Sequence, residues 1–258
     1  MNNKKTIKIL MIIIISILLV AILISIILKK VIPIYSISDR TQTLAKKQKE
    51  DDTVFGWLRV QGTNIDYPVV YSQTDKFINE EYDYDYLWTN SMSTTLNSRV
   101  LIWGHNIRNV SSKPLINEKK FNYFENLPSF LYYDFVKENK YIQYTINGEN
   151  HLYKIYAVSM IDKDDFSSDE YMTKEDRKKY VEEALKESYF KFDTEVNSES
   201  KLITLATCTR FFGNNAVIIR VDGVSVGEGD KIKNYKVEKN NKNYEKVEKI
   251  MKGDDKDE

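Results

Sequence analysis

The longest hydrophobic segment of the chain lies at its N-terminus. Residues 9–28 are Ile, Leu, Val, Met and Ala, with serine as the only polar residue type. At 1.5 Å of rise per residue, a helix of this length crosses the hydrocarbon core of a bilayer. Lys29 and Lys30 follow it, instead of the small residues of a cleavage site. We therefore predict a retained single-pass anchor at 9–28, preceded by a cytoplasmic N-terminus at 1–8.

Charge gives little information about the orientation of this anchor. Lys4, Lys5 and Lys8 precede it, and Lys29 and Lys30 follow it, so the positive-inside count is nearly even. A single N-terminal anchor ahead of one large soluble domain favours an extracellular domain. We therefore expect a cell-membrane protein whose folded body lies outside the cell.

Short apolar and alternating runs, typical of β-strands, fill the middle of the chain. Residues 29–53 are interpreted as a juxtamembrane linker or helix, because the stretch from Ser36 to Thr53 is rich in Lys, Gln, Glu and Asp. Alternation begins at Phe55, so the folded domain is predicted at 54–227. Asn147-Gly148 separates two strand-like runs and predicts a hairpin turn.

One soluble helix and one polar tail complete the organisation. The helix is predicted from Thr173 to about Tyr189, because Thr173 is followed three residues later by Asp176 as in a capping box. Residues 228–258 are charged and contain few apolar side chains, so we predict a solvated, disordered tail that is helical only in part.

Composition excludes some classes of function. Lys plus Arg and Asp plus Glu are both 38, so the formal net charge is zero and no basic stripe indicates nucleic-acid binding. No segment has the pattern of a metal-binding loop, and we predict neither a metal nor another cofactor. The single cysteine cannot form an internal disulfide.

That cysteine, Cys208, ends the apolar run that begins at Leu202. A polar turn and a second apolar run from Ala216 to Arg220 follow it. The pattern predicts a hairpin with the thiol at the end of its first strand. Cys208 is thus either a candidate nucleophile or an inert buried thiol, as most cysteines are.

His105 is the candidate partner of the thiol. It follows the buried run Val100–Trp103 and Gly104, so it also lies at a strand end. An imidazole beside a cysteine can exchange protons with the thiol and with a leaving amine. The alternative is a core histidine whose hydrogen bonds are satisfied within the fold.

Three motifs together resemble the sortase family. Thr204-Leu205-Ala206-Thr207-Cys208 is similar to its Thr-Leu-x-Thr-Cys signature, and Trp103-Gly104-His105-Asn106 is similar to its Tyr-Gly-His-Asn segment. The sequence from Gly56 to Val70 resembles the opening strands of the class B branch, as does the long helix before the cysteine strand. The resemblance covers about Val54 to Val226.

The resemblance implies a mainly β fold with added helices, a closed antiparallel sortase-type barrel. It also implies a cysteine transpeptidase on the outer face of a Gram-positive membrane. Cys208 would attack the carbonyl of a threonine in the C-terminal sorting motif of a secreted protein, and His105 would be the general acid/base. An amine of a peptidoglycan precursor or a pilin lysine would then resolve the thioacyl enzyme.

The sequence departs from the family pattern at its arginine. Sortases carry one at the start of the strand after the cysteine, where Asn215-Ala216 stand here. Arg210 is our preferred substitute for oxyanion or substrate support. Arg220 is the alternative, although on the order of 13 Å of strand separates it from position 216. Substrate contacts are predicted for Thr207, Asn106, Asn215 and Phe211.

Two further functions remain open. A sortase-fold protein that binds sorting peptides or pilins with impaired turnover would explain the displaced arginine. A general cysteine protease is less favoured, because no further motif supports it.

Overall fold

The computed structural model describes residues 3–31, 37–71, 87–90, 98–106, 123–209, 217–226 and 235–252. The helices in these ranges are α1 (Asn3–Val31), α2 (Thr41–Glu50), α3 (Tyr133–Glu138), α4 (Lys174–Glu187) and α5 (Asn241–Lys252). The strands are β1 (Val54–Val60), β2 (Asp66–Tyr71), β3 (Leu87–Thr89), β4 (Arg99–Gly104), β5 (Tyr141–Ile146), β6 (Glu149–Asp162), β7 (Phe190–Phe192), β8 (Leu202–Thr209), β9 (Val217–Ser225) and β10 (Val237–Lys239). Segments of 3₁₀-helix cover Tyr123–Leu131 and Lys163–Asp165.

Eight strands close into a barrel in the order β1-β2-β3-β4-β8-β9-β6-β5. The predicted closed barrel is confirmed, with the difference that β2–β3 and β4–β8 are parallel pairs. The other neighbouring pairs are antiparallel. Closure leaves no open sheet edge in the barrel, so every strand has a neighbour on both sides.

The two faces of β8 have different surroundings because side chains alternate along a strand. Ile203 and Leu205 point into the barrel and belong to its main apolar core. Ala206 packs outside the barrel with Leu101 and Ile218. Cys208 follows Ala206 by two residues, so its side chain lies on the outer face.

Two local predictions within the domain are confirmed. Asn147 and Gly148 both have positive φ angles, 52° and 77°, and connect β5 to β6 as a tight hairpin turn requires. Thr173 caps α4, and its side chain and that of Asp176 form a reciprocal capping box. Tyr180 and Val181 then lie on the buried face of this helix.

The N-terminal helix α1 forms a unit separate from the barrel. Its segment Ile7–Ile24 has a mean hydropathy of 3.3 and buries none of its side chains within the protein. By length and composition this helix can cross a membrane. The predicted anchor at 9–28 falls within it.

The helix expected within residues 29–53 is present as α2, but the predicted start of the folded domain at residue 54 is wrong. Helix α2 packs on the barrel domain because its one large apolar side chain, Leu44, is only 2% exposed. Leu44 contacts a cluster formed with Val54, Val70 and Trp88. The folded domain therefore begins before residue 54, at about Ile37.

The predicted disordered tail is also wrong between residues 235 and 252. Strand β10 pairs with β7, and α5 buries Tyr244 and Val247 in the main core cluster. These residues are three positions apart, so they lie on the same face of the helix. A few well-spaced apolar residues thus attach a segment that is polar on average. Residues 228–234 and 253–258 of the predicted tail lie outside the described part.

Candidate functional site

The parallel pair β4–β8 brings the ends of the two predicted site strands together. Its register runs from Arg99 opposite Leu202 to Trp103 opposite Ala206. Two residues further along the chain are His105, just beyond the end of β4, and Cys208, in β8. The paired residues end at Trp103 and Ala206, and this register brings His105 and Cys208 to the same end of two neighbouring strands.

The strand ends are held together by a buried hydrogen bond. The hydroxyl of Thr207 donates to the carbonyl oxygen of Gly104 over 2.7 Å. Gly104 has to be glycine, because a Cβ atom there would lie 2.6 Å from Leu87 and 2.7 Å from Phe124. This close packing fixes the backbone immediately before His105.

The imidazole of His105 is half-buried and packs against an indole. Its ring centroid lies 5.0 Å from that of Trp88, at an interplanar angle of 46°. Trp88 is in β3, the other neighbour of β4, and is only 5% exposed. The indole therefore restricts how the imidazole can turn.

Cys208 is a free, exposed thiol. Although the residue is accessible, the atoms packed around it displace water from its sulfur, and this desolvation raises the pKa of the thiol. The positive charge of Lys163 acts in the opposite direction and lowers that pKa. An imidazole within reach of an accessible thiol can act as proton acceptor and donor in a cysteine-dependent acyl transfer.

Comparison with known proteins identifies the family. The model of the sortase domain matches residues 58–224, which is more than half of the chain. The chain belongs to the sortase family.

Its relatives are class B sortases. Sortase B of Staphylococcus aureus is 21% identical over 170 residues, which cover 62% of this chain and 65% of the relative. Sortase B of Listeria monocytogenes is 25% identical over 184 residues, covering 67% of this chain and 68% of the relative. The aligned region thus spans about two thirds of these relatives. The crystal structure of Clostridium perfringens sortase B has a TM-score of 0.57 and 26% identity, with 71% of this chain and 99% of that one covered.

Arg220, the alternative sortase arginine of our prediction, is engaged elsewhere. It is only 4% exposed, and its guanidinium lies 2.9 Å from Asp222 and 3.1 Å from Glu187. Burial by itself would lower the pKa of this arginine, but the anionic groups around it, Asp222 first among them, together raise it more. Arg220 therefore stabilises the contact with α4, one row of side chains away from Cys208.

The remaining predicted site residues of the sortase domain have different positions. Arg210, Phe211 and Asn215 lie outside the described residues. Asn106 follows His105 directly and is half-buried. Thr207 is fully buried, and because it is adjacent to Cys208 in β8 its side chain lies on the opposite face of the strand. Within the described ranges, no group of three or more His, Cys, Asp or Glu side chains is arranged to hold a metal ion.

Two neighbours of the site were missed in the sequence. Lys163 directly follows β6, whose first residue is 59 positions before Cys208 in the sequence. In the barrel, β9 lies between β6 and β8, the strand of Cys208. Trp88 precedes a segment with no strand pattern. No local signal marks either residue, because only the strand order of the barrel brings Lys163 near Cys208 and Trp88 against His105.

Proposed function

We propose that this sortase-family chain is a membrane-anchored cysteine transpeptidase whose domain lies outside the cell. Its substrates are secreted proteins with a C-terminal sorting signal, and the acceptor is an amine of a peptidoglycan precursor or a pilin lysine. The observation that carries the proposal is the parallel β4–β8 register, which ends at Trp103 opposite Ala206, two residues before His105 and Cys208.

The reaction follows from the chemistry of these two groups. The Cys208 thiolate attacks the threonine carbonyl, and a C–S bond forms as the carbonyl oxygen becomes an oxyanion. The C–N bond then breaks, and protonated His105 gives its proton to the leaving amine. In the second half, His105 takes a proton from the incoming amine, whose nitrogen forms the new amide as the C–S bond breaks.

Membrane attachment through residues 9–28 belongs to the same proposal. The segment has the length and hydropathy that a span requires. An anchor on the secretion side of the membrane would keep the nucleophile close to substrates as they leave the cell.

The test uses the full chain in detergent micelles with a hexapeptide library containing one fixed threonine, and hydroxylamine as the amine. We expect intact-mass spectrometry to detect a thioacyl adduct on the protein and a peptide hydroxamate in solution. Cys208→Ala should form neither. His105→Ala should slow hydroxamate formation by about 10²-fold or more, since general acid–base catalysis contributes at least that much. Normal turnover in either variant contradicts the proposal.

A second function is favoured by the state of Arg220. Its guanidinium is occupied by Asp222 and Glu187, so it does not supply the displaced family arginine. A protein that binds sorting peptides without efficient turnover would fit this feature. Binding of a fluorescent library peptide, measured by anisotropy, together with the absence of an adduct on Cys208, would support this second function over the first.

A further inference from the structure

The outer face of the barrel carries one row of side chains that begins at the proposed nucleophile. Cys208 pairs with Ile218 of β9, and Ile218 pairs with Ile161 of β6. Directly paired residues point to the same face of a sheet. With strands about 4.8 Å apart, Ile161 lies roughly 10 Å across the sheet from Cys208.

Lys163 lies beyond the open end of this row. It comes two residues after Ile161 and begins the 3₁₀ segment that leaves the barrel. Its side chain is exposed, and among the described residues its ammonium group forms no ion pair and donates no hydrogen bond. A lysine stem of four carbons is long enough to carry this charge back over the two apolar isoleucines towards the sulfur.

Other charged groups near this row are either neutralised or belong to the segment of Lys163 itself. Arg220 lies in the next row on β9 and is paired with Asp222 and Glu187. Asp164 and Asp165 follow Lys163 in the 3₁₀ segment, and both are exposed.

Two further titratable groups lie near this row: Asp162 at the end of β6 and His105 just after β4. Asp162 precedes Lys163, and its carboxylate accepts a hydrogen bond from the backbone of Asp164. His105 follows the last residue of β4, the strand that pairs with the strand of the thiol.

We propose that Lys163 is a further residue of the active site and supplies positive charge to the Cys208 thiolate and to the oxyanion of the attacked carbonyl. This inference rests on the transpeptidase function proposed above. It assigns to a lysine on the β6 side the electrostatic role that the family gives to an arginine on the next strand. In a partly desolvated site, a fixed positive charge stabilises a thiolate and a developing oxyanion more strongly than it does in water.

The direction of the pKa effect agrees with this geometry. Desolvation raises the pKa of the Cys208 thiol, and the charge of Lys163 lowers it. Removing that charge should therefore raise the pKa of the thiol and reduce the thiolate fraction at neutral pH.

The experiment measures the thiolate directly, without any peptide. Cys208 is the only cysteine of the chain, so iodoacetamide labelling of the full chain in micelles, followed by intact mass from pH 5 to pH 10, reports on one group. For Lys163→Gln we expect the pH midpoint of the labelling rate to rise by about 0.5 to 1 pH unit, and labelling at pH 7 to slow about three- to tenfold. Lys163→Arg should restore the midpoint of the parent protein, because it restores the charge.

Two controls make the result specific. Lys191→Gln removes an exposed lysine of β7, outside the barrel, and should leave the midpoint unchanged. Arg210→Gln tests the arginine that the sequence favours. An unchanged midpoint in Lys163→Gln overturns the inference, and so does a shift in Arg210→Gln alone. A Lys163→Arg protein that behaves like Lys163→Gln also overturns it, because charge would then not be the cause.

The two proposals fail in different ways. If Cys208→Ala still forms hydroxamate, the transpeptidase function is wrong whatever the labelling shows. If Cys208→Ala is inactive but Lys163→Gln has the labelling profile and turnover of the parent protein, only the role of Lys163 is wrong. Unfolding temperatures of the lysine variants should match that of the parent, because both side chains are exposed.

Discussion

Arg220 is a residue whose partners decide its role. Its guanidinium lies between Asp222 and Glu187 and 5.4 Å from the ring centroid of Tyr180. The hydroxyl of Tyr180 also donates to Asp222 over 2.6 Å. A buried cation with two carboxylate partners and an aromatic face is part of the contact between α4 and the barrel. It is not available to a substrate beside Cys208.

Arg220→Lys should therefore change stability and not the thiol. A lysine cannot contact both carboxylates with a planar fork, so we expect a loss of about 1 to 3 kcal/mol in the free energy of unfolding. Iodoacetamide labelling of Cys208 should keep the pH profile of the parent protein. Urea denaturation and labelling can be measured on the same preparation. If Arg220→Lys left stability unchanged but shifted the labelling profile, Arg220 would act on the thiol and the structural role would be wrong.

Helix α2 is an element attached to the barrel by polar contacts, including an ion pair, and by the apolar contact of Leu44. The side chain of Arg40, directly before α2, donates to both carboxylate oxygens of Asp66 in β2, over 3.0 and 2.6 Å. Trp57 donates to the same carboxylate over 2.6 Å. Partial burial raises the pKa of Asp66, but the bonds from Arg40 and Trp57 lower it more, so the net shift is downward.

This lowered pKa gives a pH-dependent contribution to stability. The contribution of the ion pair is present above the pKa that Asp66 has in the unfolded chain, about 3.9, and is lost as the pH falls through the lower folded-state pKa. Asp66→Asn should therefore destabilise the protein at pH 6 but lose less further stability than the parent between pH 5 and pH 3. The difference should be on the order of 1 kcal/mol, since the pair is partly exposed.

Thermal unfolding at pH 6, 5, 4 and 3 measures this effect. Asp52→Asn, an exposed position beside β1, is the matched control and should follow the parent at each pH. Parallel pH curves for Asp66→Asn and the parent would mean that Asp66 makes no such contribution.

At the scale of the whole molecule, the C-terminal segment completes the domain. Tyr235 donates through its hydroxyl to the backbone carbonyls of Lys140 and Ile155, over 2.7 and 2.9 Å. The ring of Tyr244 in α5 lies 5.2 Å from that of Phe190 in β7. The chain thus returns to the barrel after the β9 strand and covers apolar surface around β7.

Removing one anchor of this segment should destabilise the entire domain. Tyr244 is only 5% exposed, so Tyr244→Ala should lower the free energy of unfolding by about 3 to 5 kcal/mol, as for other large buried aromatics. Lys242→Ala, on the exposed side of the same helix, should have little effect. Denaturant titrations of the two variants test the difference. A Tyr244→Ala protein as stable as Lys242→Ala would support the disordered tail that composition suggested.

The sequence by itself determined the features that depend on neighbouring residues. Capping of α4 by Thr173 and the Asn147-Gly148 turn follow from local backbone chemistry. The apolar run of α1 follows from composition alone. Cys208 and His105 were found as the ends of two apolar runs, and a short family motif around each gave the expected chemistry.

The tertiary structure alone decided which distant residues meet. The parallel register of β4 on β8 depends on burial across the whole barrel, and no local pattern encodes which strands become neighbours. The same pairing across β8, β9 and β6 sets Lys163 at the end of the row of Cys208. It also places Arg220 where it forms ion pairs with Asp222 and Glu187. Long-range packing likewise buries Leu44 and Tyr244. A single apolar residue in a polar segment does not predict burial, because burial depends on whether the fold provides an apolar surface for it to cover.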